Sequence, residues 1–132
     1  MEAKAELKYL RITPRKVRVV ADLIRGKKVG AALAQLAYVE KRAALPVAKL
    51  LRSAVANADQ ATKGQLDVDQ LFVKDLQVGQ GPSLRRFMPR AMGRAFKVLK
   101  KTSHVFIVVG DEEPSRKKKP AKRKSASPQA KA

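Results

Sequence analysis

From Met1 to Ile12, Ala3, Ala5, Leu7 and Tyr9 alternate with Lys4, Glu6, Lys8 and Leu10. A period of two predicts a short strand. Thr13-Pro14 then marks a helix start, because Thr is a favoured N-cap and Pro at the first helical position gives up an N–H that has no helical partner. Val17, Val20, Ala21 and Ile24 fall at i, i+3, i+4 and i+7, one apolar stripe, and Gly26 is placed to close the helix. The other face carries Arg15, Lys16, Arg18 and Arg25, with Arg11 just before it and Lys27 and Lys28 just beyond. Val29, Ala32, Leu33 and Leu36 predict a second short helix to about Tyr38. A third follows, with Ala44, Val47, Ala48, Leu51, Val55 and Ala58 on one stripe. Pro46 would kink a helix begun at Glu40, so the regular part is expected from near Ala44 to the Ala61–Gln65 stretch.

The period changes at Leu71. Phe72, Leu76 and Val78 alternate imperfectly with Val73 and Gln77, which predicts a half-buried strand with a bulge. Val98 to Val109 reads as another strand. Between them, residues 79–94 follow no period: Gly and Pro punctuate the segment, and its apolar residues never share a face. After Asp111-Glu112-Glu113 the chain turns to Lys, Arg, Ser, Ala and Pro. Such a composition cannot bury enough apolar surface to offset its ordering entropy, so residues 111–132 are expected to form a disordered basic tail. Residues 1–110 then make a single domain, with an arm at about 79–98. No internal repeat is visible.

Composition changes this picture in two ways. Of the 132 residues 45% are hydrophobic but only 5% aromatic, so the core must be Ala, Val, Leu and Ile. There is no Cys, which removes disulfides and thiolate metal sites. Charge matters more. Thirty Lys+Arg against eleven Asp+Glu give a net charge of +19, and so much self-repulsion calls for a polyanionic partner. No run of about 18 apolar residues and no signal-peptide core is present, which argues against a membrane and for a cytoplasmic nucleic-acid binder.

The positive charge is unevenly spread. Residues 80–110 hold Arg85, Arg86, Arg90, Arg94, Lys97, Lys100 and Lys101 and no acid, while residues 1–79 hold fifteen bases and eight acids. A two-stranded ribbon alone in water is marginal, and one carrying only positive charge is worse. With ten residues per strand it would reach roughly 30 Å. Residues 82–95 are therefore expected to be disordered until something anionic surrounds them. Folded RNA supplies phosphates for the cations and unstacked bases for Phe87 and the guanidinium planes.

Several motifs occur in an order that resembles the bacterial form of the large-subunit ribosomal protein twenty-two family. They are Thr-Pro-Arg-Lys-Val-Arg at 13–18, Ala-Asp-Leu-Ile-Arg-Gly-Lys at 21–27, Lys-Leu-Leu-Arg-Ser-Ala-Val-Ala-Asn-Ala at 49–58, Gly-Pro at 81–82, Pro-Arg-Ala at 89–91, Gly-Arg-Ala at 93–95 and Lys-Lys-Thr-Ser-His-Val at 100–105. Together they span nearly all of residues 5–110. The resemblance implies an α+β fold: three helices packed on a small antiparallel sheet, with a long extended β-hairpin arm. It implies a body near the peptide exit, a hairpin lining the exit tunnel, contacts with several domains of large-subunit RNA and with neighbouring ribosomal proteins, and an early role in assembly. The nascent polypeptide would pass the tip, with the macrolide site nearby. Arg85, Arg86, Arg90 and Arg94 match the family's tip arginines, and Lys100, Lys101 and His104 its strand contacts; Lys97 lies on the same strand. Leu84, Phe87, Met88, Pro89, Ala91, Met92 and Gly93 would face the tunnel. Met92 stands where the family usually has Arg, and the tail after Pro114 extends beyond the family core.

The smaller signals have bland readings. Gly79-Gln80-Gly81-Pro82 lacks the third Gly and the following helix of a phosphate loop, so turn geometry explains it, and no cofactor is called for. His104, the only His, suits an RNA contact or a partly buried strand position better than zinc. Asp67, Asp69 and Asp75 lack calcium-loop spacing. Asn57 and Ser53 suit capping or packing. The alternative to a ribosomal role is a DNA-architectural protein that bends duplex with a basic arm and a wedge such as Met88 or Pro89. Loss of co-purification with ribonuclease but not deoxyribonuclease separates the two. An enzyme would need a carboxylate cluster or nucleophile–base pair, and none is evident.

Overall fold

A computed structural model describes residues 1–62 and 70–111. Its elements run β1 (Glu2–Leu10), α1 (Pro14–Ile24), α2 (Val29–Tyr38), α3 (Ala44–Ala61), β2 (Phe72–Gln80), β3 (Leu84–Pro89), β4 (Ala95–Lys100) and β5 (Ser103–Gly110). Residues 112–132 of the expected tail, the 63–65 end of the third helix, and Asp67 and Asp69 lie outside the described residues.

β5 is the central strand of a three-stranded antiparallel sheet in the order β1-β5-β2. Val105, Ile107 and Val109 of β5 are fully buried, facing the helices. In one core cluster with them are Val17, Val20 and Ile24 of α1, Val47, Leu51 and Ala54 of α3, and Val29 and Ala32 of α2, which packs on α1 and α3. No aromatic residue is among the buried ones, as the composition predicts. α3 lies along β1, where the Asn57 amide donates to the Lys4 carbonyl oxygen at 2.9 Å, a packing role for that residue. Pro46 occupies the first turn of α3, where its missing N–H breaks no helical bond. Thr13 takes the N-cap position of α1 through its backbone, since its side chain makes no cap hydrogen bond.

Two strands carry an extra residue. On β2 the register shifts between Val73, opposite Val109, and Asp75, opposite Val108. The bulge at Lys74 lets Val73 and Leu76, three apart, both enter the core, and it explains the imperfect alternation seen in the sequence. Phe72, expected on the apolar face, is only half-buried, with the Lys28 ammonium 5.8 Å from its ring centroid. On β1 the shift falls between Leu7 and Leu10. It leaves Tyr9 at φ 56 and 62% exposed, not in line with Ala3, Ala5 and Leu7 as its spacing suggests.

The region beyond the sheet corrects three expectations. The single strand expected over Val98–Val109 is broken at Lys101-Thr102 into β4 and β5. The segment read as lacking any period contains β3, paired with β4 from Leu84 opposite Lys100 to Pro89 opposite Ala95. Six pairs span about 20 Å, shorter than the ten-residue strands anticipated. Residues 84–89, inside the 82–95 segment expected to order only around something anionic, pair with residues 95–100 of the same chain, with no core behind the ladder. Ladder hydrogen bonds need no buried face, whereas a hydrophobic period does, so the pairing left no trace in the pattern.

Candidate nucleic-acid interface

The β3–β4 ribbon is a separate two-stranded sheet with both faces in water. Directly opposed residues share a face. One face presents Leu84 with Lys100, Arg86 with Val98, and Met88 with Phe96; the other presents Arg85 with Leu99, Phe87 with Lys97, and Pro89 with Ala95. Four of the six pairs set a cation against an apolar side chain. Neither face can therefore become a core, and both offer phosphate ligands beside stacking surfaces. Phe87 is 72% exposed, and the Arg90 guanidinium lies 5.6 Å from the Phe96 ring centroid.

At the tip, the Arg94 N–H donates to the Ala91 carbonyl oxygen and the Arg90 N–H to that of Arg94. Met92 and Gly93 both have positive φ, 59 and 66, the twist of a type I′ hairpin turn. Gly adopts this freely. Met pays about 1–2 kcal/mol for it. Its side chain is 91% exposed.

The arm leaves the body through a joint that sequence reasoning missed. The Gly81 N–H donates to the Thr102 carbonyl oxygen at 3.0 Å, and the Thr102 hydroxyl to that of Pro82 at 2.6 Å. One residue on, the Ser103 hydroxyl, fully buried, donates to the Ile12 carbonyl oxygen. His104 sits half-buried beside them: its Nδ1 accepts the Tyr9 N–H at 3.1 Å, and its ring meets that of Tyr9 edge-on. A side chain at 81 would place Cβ 2.5 Å from Thr102 Oγ1 and 2.9 Å from His104 Nε2. Gly81 is thus required for close approach, not for phosphate binding.

Two of the body's arginines reach the outer edge of β2. Arg18 reaches the Val78 carbonyl oxygen at 3.1 Å and Arg25 that of Leu76 at 2.8 Å. Further from the arm, the Gly26 N–H donates to Val73 and the Val29 N–H to Leu71, while Val73 returns its own N–H to Lys27. The edge of the sheet is thereby covered, which blocks pairing with another chain. Arg18 and Arg25 hold α1 to β2 with donors that the sequence had assigned to RNA. That role is invisible until the topology shows which strand lies at the edge. Lys27 also contacts Gln35, whereas Arg11, Arg15, Lys16, Lys97, Lys100 and Lys101 are exposed. Among the described residues no three His, Cys, Asp or Glu side chains come together to hold a metal, and no helix is long and apolar enough to cross a membrane.

The chain is thus a small helix-backed body carrying an exposed, acid-free ribbon. The family model for ribosomal protein L22p/L17e matches residues 5–110, and the chain belongs to that family. Among its relatives are the large ribosomal subunit proteins uL22 of Anaeromyxobacter sp. (strain K), of Myxococcus xanthus and of Mesoplasma florum. The first is 66% identical over 106 residues, covering 80% of this chain and 72% of the relative. The second is 57% identical over 111 residues, 84% and 97% of the two chains, and the third 58% over 112 residues, 85% and 98%. The chain is accordingly a large-subunit component of the ribosome, not an enzyme, with ribosomal RNA and ribosomal proteins as its partners.

Proposed function

We propose that the β3–β4 arm inserts into folded large-subunit RNA and forms part of the wall of the polypeptide exit tunnel, with the body near the exit. The observation that carries this reading is the cation-against-apolar pairing on both faces of the ribbon, which suits a strand pair surrounded by phosphates and bases rather than one lying on a protein surface. Arg85, Arg86, Arg90, Arg94, Lys97, Lys100 and Lys101 act as the arm's RNA contacts. Arg11, Arg15, Lys16, Arg18, Arg25, Lys27 and Lys28 continue them over the body, and His104 fixes the arm's base beside its strand contacts. Leu84, Phe87, Met88, Pro89, Ala91, Met92 and Gly93 bring the tip to the tunnel, where it meets the nascent chain and lies near bound macrolides. Residues 1–110 work as one unit, and joining several RNA domains gives the chain its part in early subunit assembly.

A density map of the large subunit containing this chain tests the proposal. The ribbon is expected between RNA domains with Met92 bordering the tunnel. A ribbon lying on the solvent face of the subunit would refute it.

A further inference from the structure

Outside the ribbon, the body carries an apolar groove between the end of β1 and the start of α3. Leu7 and Leu10 line one side, and Leu45, Pro46 and Leu50 the other. Leu45 is 73% exposed although its neighbours Ala44 and Val47 are buried. The rim is mostly cationic. Lys49 stands at one end with Glu6, and Arg11 and Arg42 at the other, while the first turn of α3 holds no acid.

The charge of the groove selects among occupants. Residues 112–132 of this chain contain eight Lys+Arg and two Glu, so the rim repels them, and a second copy meets +19 with +19. RNA suits the rim but not the floor, which offers aliphatic carbon instead of donors. A protein segment with an apolar anchor and nearby carboxylates satisfies both. The wall from Glu6 to Leu10 is about 13 Å of strand, bulged near Tyr9, enough to seat roughly four residues.

We propose that this groove receives an extended segment of a neighbouring large-subunit protein, its apolar anchor beside Leu45 and its carboxylates toward Arg42 and Lys49. The inference rests on the ribosomal placement of the chain and adds the surface and the partner's chemistry.

The test replaces exposed Leu45 with the photo-crosslinker p-benzoylphenylalanine, and separately Ser53 on the same groove, in purified large subunits. The expected product is an adduct to a ribosomal protein, within three residues of Asp or Glu. Arg42→Glu with Lys49→Glu should cut its yield about fivefold. An adduct to ribosomal RNA from both positions, no adduct, or a protein adduct indifferent to the charge reversal would overturn the proposal. Exclusion of the unsubstituted chain from subunits would defeat the ribosomal placement itself, and the groove assignment with it.

Discussion

β4 and β5 are separated by two residues, yet they live in different environments. β5 is the spine of the body, with Val105, Ile107 and Val109 fully buried, whereas β4 is exposed along nearly its whole length. Both are rich in strand-forming residues. What separates them is cover: α1 and α3 lie over β5 with α2 packed on both, and nothing among the described residues lies over β4. Intrinsic preference makes a strand in either place, but only burial makes it stable. The body supplies its own environment, and on the proposed function the arm takes its environment from RNA.

The widest separation between the regions is in stability. Ile107→Ala should destabilise the body by about 2–5 kcal/mol, because it empties a fully buried site. Deleting residues 84–92 should leave the body's melting temperature within a degree or two of the parent, since the ribbon shares no core with it. Calorimetry on both variants checks this, and unfolding of the body by the deletion would abolish the distinction.

Binding reverses the ranking. Replacing Arg85, Arg86, Arg90 and Arg94 together by Ala should weaken binding to large-subunit RNA and flatten its salt dependence by about three units of slope, close to one per lost phosphate contact. Filter binding over a salt series reads it. An unchanged slope would remove the arm from the interface.

Gly81→Ala probes the joint between the regions. Its Cβ would meet Thr102 Oγ1 and His104 Nε2 inside contact distance, so a cost of about 1–3 kcal/mol and a redirected arm are expected. Spin-label distances from α3 to the tip should shift while the body's core signals stay in place. The smallest effect belongs to the tip: Met92→Gly should relieve about 1 kcal/mol of left-handed backbone strain and tighten the turn, seen as slower amide exchange at 90–94.

The same contrast explains what the sequence could reveal. α1, α2 and α3 were legible because each buries a stripe, and Thr13-Pro14, Gly26 and Pro46 mark where helices start or stop. The β3–β4 hairpin was legible through the family motifs but not in the hydrophobic pattern, because a ribbon with two wet faces has no hydrophobic period to display. The bulges at Lys74 and near Tyr9 show themselves only against a partner strand, so Phe72 and Tyr9 were assigned to the wrong surroundings. Arg18 and Arg25 read only as phosphate ligands, because the sequence cannot show that an edge strand also presents carbonyl oxygens to them. The basic, acid-free character of 80–110 needed no structure, since charge survives in composition alone.

The central claim is that the body folds on its own account while the arm gains its stability from RNA. Amide exchange on the intact chain, alone and bound to large-subunit RNA, tests it most directly. The account predicts strong protection in β5 in both states, with protection in β3 and β4 appearing only in the complex. Strong protection of residues 84–100 in the free protein would contradict it.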